Sequence, residues 1–362
     1  MRVMFFGAGM AMNGANLLSC RWAEHLRAQG HEVSVLTQDD ETGPLKPRYE
    51  AAGIAVIADD QAYIDNQTLV ICNTVLTAEM LVKAAAFSRC VWWIHEGEVG
   101  AGLLANYPQA RQAFSCASAV IFPTAYMLDT VYRRFVSDMP RQKLFVVPNG
   151  VDAPRASRPR ADGPVRVVSV GALCTRKRQG DLIRAVNALP DSPLQCQLAG
   201  KLESLDDEAH DMIRARPDRF HLMGEISHER SLEVIDGADI LAHPSSDEAL
   251  PLVLLEAGIR GKPLLLSNLP IYRDIWLHGE NCLTHAVGDV ALLAHLLTIF
   301  VRDGELRRRF GAAAQRTAQN FRSEVMLTKL DQVVAQVVGP SFAPVQPDGQ
   351  SASRGAGSFL LD

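Results

Sequence analysis

The sequence predicts an α/β protein built from two Rossmann-like, doubly wound domains, and three observations carry that expectation. Residues 2 to 6, RVMFF, read as a buried strand that runs into the glycine loop GAGMAMNG, a helix over 15 to 29 closed by Gly30, and a second strand, HEVSVLT, at 31 to 37. This strand, helix, strand order is the building unit of a parallel sheet covered on both faces. It restarts at residues 165 to 171, VRVVSVG, followed by a basic loop and a helix from Asp181. Between the halves, residues 153 to 164 are rich in Pro, Arg and Ala and read as a linker. A chain of 362 residues suits two domains, at roughly 100 to 200 residues each.

In chain order, further strands fall at 54 to 57, 69 to 72, 91 to 94 and 119 to 122, with helices between them. The turn-forming VVPNGVD at 146 to 152 closes the first half. Strands of the second half fall at 195 to 199, 221 to 224, 238 to 243 and in PLLLSN, and residues 288 to 336 are helical and charged. The resulting boundaries are 1–152 and 165–320 for the two domains and 321–338 for a last helix. The tail, 339–362, reads as disordered from its Pro, Gly, Ser and Gln content.

Apolar residues make up 48% of the chain and charged ones 21%, ordinary for a globular protein, and a net charge of -5 gives no footprint for nucleic acid. Seven cysteines, odd in number and without a C-x-x-C, argue against a disulfide framework and fit a reducing cytoplasm. No apolar run reaches the roughly 18 residues that span a bilayer. The short run MRVMFF passes directly into a glycine loop and reads as a strand, not a secretory leader. The basic segment VYRRFVSDMPRQK is the candidate for peripheral contact with anionic lipid, although two arginines and a few neighbours are more often a solvated face.

The chemistry concentrates in residues 238 to 261, ADILAHPSSDEALPLVLLEAGIRG. A short buried strand leads into a turn-rich loop, and a helix is entered through Pro251 at its first position. The backbone N–H groups near Leu252, Val253 and Leu254 have no intrahelical partner and carry the positive end of the helix dipole, which makes an anion site. Glu256 lies about a turn and a half into the helix and leans back toward that site. Glu248 stands in the loop ahead of it. Ribose, diphosphate and sugar, the parts of a nucleotide sugar, would fill that order. The loop ALCTRKRQG adds Arg176, Lys177 and Arg178 after a parallel strand, three consecutive cations that suit a diphosphate. A nicotinamide site in the first loop is disfavoured, because Met12 stands where a third glycine is needed after Gly7 and Gly9. Asp39, moreover, lies about thirty residues on, beyond the ~20 expected of a ribose acid.

The E-x7-E spacing of Glu248 and Glu256 after a strand and Pro-Ser, followed by EAGIRGKPLLLSN, resembles the signature of glycosyltransferase family 4, retaining enzymes of GT-B architecture whose two domains face a cleft. The resemblance is loose over residues 1 to 336 and close over 166 to 285. It implies Glu256 on the nucleotide ribose, Glu248 on the donor sugar, and Lys177 with the amides of Leu252 and Val253 on the diphosphate. His95, at the end of VWWIH, would face the donor sugar and serve catalysis with Glu248 and Lys177. Gly14 would approach the donor phosphates or the acceptor. Ala172 stands where some members have Arg, so Arg176 or Arg178 would compensate. Ala249, Leu250 and Pro251 replace the Gly-Phe-Gly of many members, and Pro251 removes one N–H.

The implied function is sugar transfer from a nucleotide-diphosphate sugar to a saccharide, lipid-linked or small-molecule acceptor. No cofactor or metal is expected, since the chain has no Asp-x-Asp pair and no His/Cys cluster of ligand spacing. The alternatives are another enzyme on the same architecture, a nucleotide-sugar epimerase or a phosphorylase, and an inactive nucleotide-sugar-binding subunit.

Overall fold

The computed structural model describes residues 1–7, 9–37, 42–57, 63–66, 68–154 and 163–339, with the backbone of 359–360. Asp39, most of the segment read as a linker and nearly all of the tail lie outside the described residues. The chain divides into two compact units, Met1–Asn149 with Glu324–Asp362, and Gly150–Ser323.

The strands of the first unit are β1 (Arg2–Phe6), β2 (Glu32–Leu36), β3 (Ala55–Ile57), β4 (Tyr63–Ile64), β5 (Thr68–Asn73), β6 (Arg89–Trp93), β7 (Ala119–Phe122) and β8 (Leu144–Val146). All but β4 form one sheet in the order β3-β2-β1-β5-β6-β7-β8, every neighbouring pair parallel. β4 pairs antiparallel with Phe359–Leu360. β5 and β7 are buried along their whole length, which is why they read as near-continuous apolar runs. The chain winds outward from β1 to β3 and then returns to place β5 on the other side of β1. Loops leaving the carboxyl ends of β1 and β5 therefore diverge, and such a switch point is where open α/β sheets bind ligands.

The helix Gly14–Ala28 is capped by Asn13, whose side chain accepts from Asn16 N at 2.9 Å, and it buries Leu17, Leu18, Trp22 and Leu26. Trp22 meets Phe5 and Trp93 edge-on at 5.6 and 5.2 Å, a geometry that suits the ring quadrupoles. From Glu324 on, the helix Ser323–Val338 packs in this unit. Asp331 pairs with His25 at 2.9 Å, and Gln336 and Arg89 bond the Gln142 and Val338 carbonyls.

The second unit holds β9 (Val165–Val170), β10 (Leu194–Ala199), β11 (Phe220–Gly224), β12 (Ile240–His243), β13 (Leu264–Ser267) and β14 (Leu283–His285). Their order is β11-β10-β9-β12-β13-β14, again all parallel, and the winding reverses between β9 and β12. Leu182, Ile183, Leu198, Phe300 and Phe310 share its core. Three short strands, β4, β8 and β14, escape the sequence reading. The predicted entry of the central helix is corrected by one residue. Pro251 is extended (φ -68°, ψ 130°) and serves as the cap, and the helix runs Leu252–Ile259. Among the described residues no helix is long and apolar enough to cross a membrane.

Candidate functional site

The candidate residues of the second unit gather at its switch point. Leaving β9, the chain passes Gly171 (φ 132°), against which the end of β10 presses so closely that a Cβ on Gly200 (φ 149°) would lie 2.1 Å from the Gly171 carbonyl oxygen. Only glycine permits that approach. The following turn, Thr175–Lys177, is tied down by Gln179, whose amide accepts from Cys174 N and donates to the Ala172 carbonyl at 3.3 and 2.9 Å. A second loop, leaving β12, grips the same turn. The Arg176 carbonyl accepts from Ser246 N at 2.8 Å, Ser246 Oγ at 3.0 Å and Ser245 Oγ at 3.2 Å.

This stitching sets Lys177 and Arg176 beside Glu248. Lys177 Nζ lies 2.5 Å from Glu248 Oε1, His243 Nε2 lies 2.9 Å from the same oxygen, and Arg176 Nη1 lies 3.4 Å from it while donating to the Asp247 carbonyl at 2.8 Å. Burial by itself would raise the Glu248 carboxyl. The Lys177 cation and the His243 ring outweigh that and hold it well below the usual carboxylate range, so it is ionised. Burial, with the Lys177 charge, pushes His243 down, and the ring is neutral. Arg178, in the left-handed region at φ 54°, turns elsewhere. It pairs with Asp181 at 2.6 Å and lies against Gly288, so Arg176 is the arginine that accompanies Lys177.

On Leu252–Ile259 the anion site is narrower than the sequence suggests. Leu254 N donates to the Pro251 carbonyl at 3.2 Å, which leaves the amides of Leu252 and Val253 to open the helix. No acidic side chain sits in that first turn. Glu256, 6% exposed, faces His228 at the start of the helix His228–Asp236, with Oε1 2.7 Å from its Nε2.

The remaining two candidates, Gly14 and His95, belong to the first unit. Gly14 is the exposed first residue of its helix. His95 follows β6 at the carboxyl edge, its ring centroid 4.5 Å from that of Trp93 at a tilt of 49°, with Nε2 2.7 Å from Asn73 Oδ1 at the end of β5. Burial pushes the ring down to about 3, so it is neutral and donates from Nε2 to the amide oxygen. Nδ1 then carries the lone pair, buried and without a hydrogen-bond partner among the described residues. The neighbouring Glu96 accepts from the amides of Val75 and His95 at 3.2 and 3.1 Å, and burial raises its carboxyl despite them. Thr124, after β7, caps the turn that follows by accepting from Met127 N at 3.2 Å.

Two family models match the chain: one described as glycosyl transferases group 1, over residues 151–317, and one as glycosyl-transferase family 4, over residues 2–121. The chain belongs to glycosyltransferase family 4. Mycobacterium tuberculosis glycogen synthase is 32% identical over 201 residues, covering 53% of this chain and 48% of that one. The chain thus spans about half the length of that curated relative. The phosphatidyl-myo-inositol mannosyltransferase of Mycolicibacterium smegmatis is 24% identical over 359 residues, 88% of each chain. Among solved structures, Anabaena HepE in complex with UDP and glucose superposes with a TM-score of 0.75 at 17% identity, over 92% of this chain and 99% of that one. Sucrose-phosphate synthase from Thermosynechococcus elongatus gives 0.70 at 20% identity, over 93% and 99%. The fold of this family 4 chain is GT-B.

Sequence reasoning named Glu248 and Glu256 and missed their partners. His243 lies five residues before Glu248 across Pro-Ser, and His228 lies 28 residues before Glu256. Neither spacing announces a contact. Asn73 and Glu96 were equally silent, although Glu96 adjoins His95. Among the described residues no three His, Cys, Asp or Glu side chains stand close enough to hold a metal ion.

Proposed function

We propose that the protein is a retaining glycosyltransferase that moves a sugar from a nucleotide-diphosphate sugar to a saccharide, lipid-linked or small-molecule acceptor. The observation that carries this reading is that two buried carboxylates, Glu248 paired with the Lys177 cation and Glu256 with His228, stand on the loop and helix that follow β12, with an acid-free helix start between them. Glu256 takes the ribose hydroxyls and Glu248 the sugar hydroxyls. Lys177, Arg176 and the amides of Leu252 and Val253 take the diphosphate, whose charge grows as the glycosidic bond breaks. In a retaining reaction the leaving diphosphate stays on the face where the acceptor hydroxyl enters and helps deprotonate it, so the protein's part is positioning and charge stabilisation. Within the first unit, the buried Nδ1 of His95, without a hydrogen-bond partner among the described residues, is an acceptor for a ligand hydroxyl. No metal is required in this scheme.

The UDP and glucose of the HepE complex make UDP-glucose the first donor to try, and the mycobacterial mannosyltransferase favours an inositol-lipid acceptor. Peripheral membrane contact is supported by Val99 and Leu103, exposed on the helix Glu98–Ala105, whose Glu98, Ala101 and Gly102 line a cavity of about 640 Å³ together with Arg133 and Arg134. The test is calorimetry against nucleotide sugars followed by product analysis by NMR. Binding with an anomer of retained configuration is expected, whereas an inverted product, or no binding of any nucleotide sugar, rejects the reading.

A further inference from the structure

We propose that His243 is a positioning residue that presents Glu248 to the donor sugar, tying one carboxylate oxygen into the protein and leaving the other for sugar hydroxyls. This rests on the donor-site reading above. His243 is the last residue of β12, 2% exposed, and its Nε2 stands 2.9 Å from Glu248 Oε1. Lys177 Nζ and Arg176 Nη1 address that same oxygen. Oε2 carries no hydrogen bond among the described residues.

The three neighbours of Oε1 differ in what they do to it. An ionised carboxylate only accepts, so the neutral His243 ring must carry its proton on Nε2 and donate it. The tautomer is thereby fixed. Lys177 and Arg176 sit on a loop, at the ends of long stems with many rotamers, and compensate charge without fixing direction. His243 sits on a strand bonded to β9 on one side and β13 on the other, and its ring has two torsions to hold. Glu248 itself lies in the loop between β12 and the helix Leu252–Ile259, where no regular structure sets its rotamer. A donor anchored in the sheet is what converts a charged loop residue into an aimed one.

The test compares wild type with His243→Leu, which fills the space without donating, and His243→Gln, whose amide donates from about the position of Nε2. Each protein is titrated calorimetrically with UDP and UDP-glucose, GDP and GDP-mannose, and ADP and ADP-glucose. The quantity read is the ratio of free-diphosphate to sugar-nucleotide dissociation constants. For His243→Leu we expect diphosphate affinity within about 2-fold of wild type and a loss of about 10-fold in that ratio, one hydrogen bond to a charged group. Turnover should fall in kcat more than KM rises, and His243→Gln should restore both. Should the leucine variant fail to fold, His243→Asn, whose amide is too short to reach Oε1, takes its place. Unchanged ratios in the non-donating variants overturn the proposal, as does equal impairment of His243→Gln. A wild type that binds none of the six ligands removes the donor-site reading, and this inference with it.

Discussion

Glu248 and Glu256 are both buried, and each has a histidine on Oε1, yet their surroundings are unlike. Glu256 rides on a helix whose backbone already aims it, and a single ring, on a side chain 15% exposed, completes the arrangement. Glu248 stands in a loop and is held by Lys177, Arg176 and a histidine 3% exposed. The difference shows what a carboxylate needs when no helix supplies its direction. It needs hydrogen bonds from elements that are themselves fixed, and cations to offset burial. Function at Glu248 should therefore be fragile to changes in its neighbours, and function at Glu256 should depend mainly on the glutamate itself.

The sharpest way to break this contrast is Lys177→Met. Turnover should fall by about 100- to 1,000-fold, the usual effect of removing one donor to developing charge. The same change carries a pH signature. The Glu248 carboxyl is held low in the folded chain, so its ionised form stabilises the fold above the unfolded value of about 4.3. That contribution is lost as pH falls through the depressed folded value. Without Lys177 burial is less opposed and the folded value rises toward the unfolded one, so stability near neutral pH should fall and the part of it that acid removes should shrink. Melting curves from pH 3 to 7 that superimpose on wild type would show that Lys177 is not what offsets burial.

Next in size is the comparison of the glutamates themselves. Glu256→Gln should weaken free nucleotide diphosphate and sugar nucleotide alike, by about 10- to 100-fold if one charged hydrogen bond is lost. Glu248→Gln should leave diphosphate affinity intact, since Lys177 is released from its partner, and should depress turnover because the sugar gains positive character in the transition state. Parallel losses of diphosphate affinity in both variants would erase the distinction. A smaller effect is expected from His228→Leu, only a few-fold in diphosphate affinity, because the helix still aims Glu256. The smallest concerns metal. EDTA should leave turnover within about 2-fold if, as proposed, Lys177, Arg176 and the helix amides offset the diphosphate charge. Strict magnesium or manganese dependence would require charge compensation that this scheme does not include.

Much of this site was legible in the chain. The two glutamates stand out because a charged residue inside an apolar helix, and another just ahead of it, are costly without a reason. Lys177 stands out as the middle of three cations after a strand. What the sequence could not say is which cation turns inward. Arg176 and Arg178 differ in role because residue 178 is left-handed, and a left-handed arginine is not written in any local pattern. The histidine partners were hidden for a different reason: a ring at the end of a strand reads as core until the loop beyond it is seen to fold back. The parallel sheets were readable from their apolar runs, whereas β8 and β14, which run directly out of a turn segment, were not.

The grip of Ser245 and Ser246 on the Arg176 carbonyl bears on how such a protein could be re-engineered. Two loops that share hydrogen bonds to one carbonyl cannot be exchanged separately, because a graft of either alone leaves donors without an acceptor and Lys177 at a new height. Residues 171 to 179 and 244 to 250 form a single cassette for loop transplantation. Recombination libraries that cut between them should yield folded but misaligned chimeras, and those that move them together should carry the whole charge arrangement into the new host.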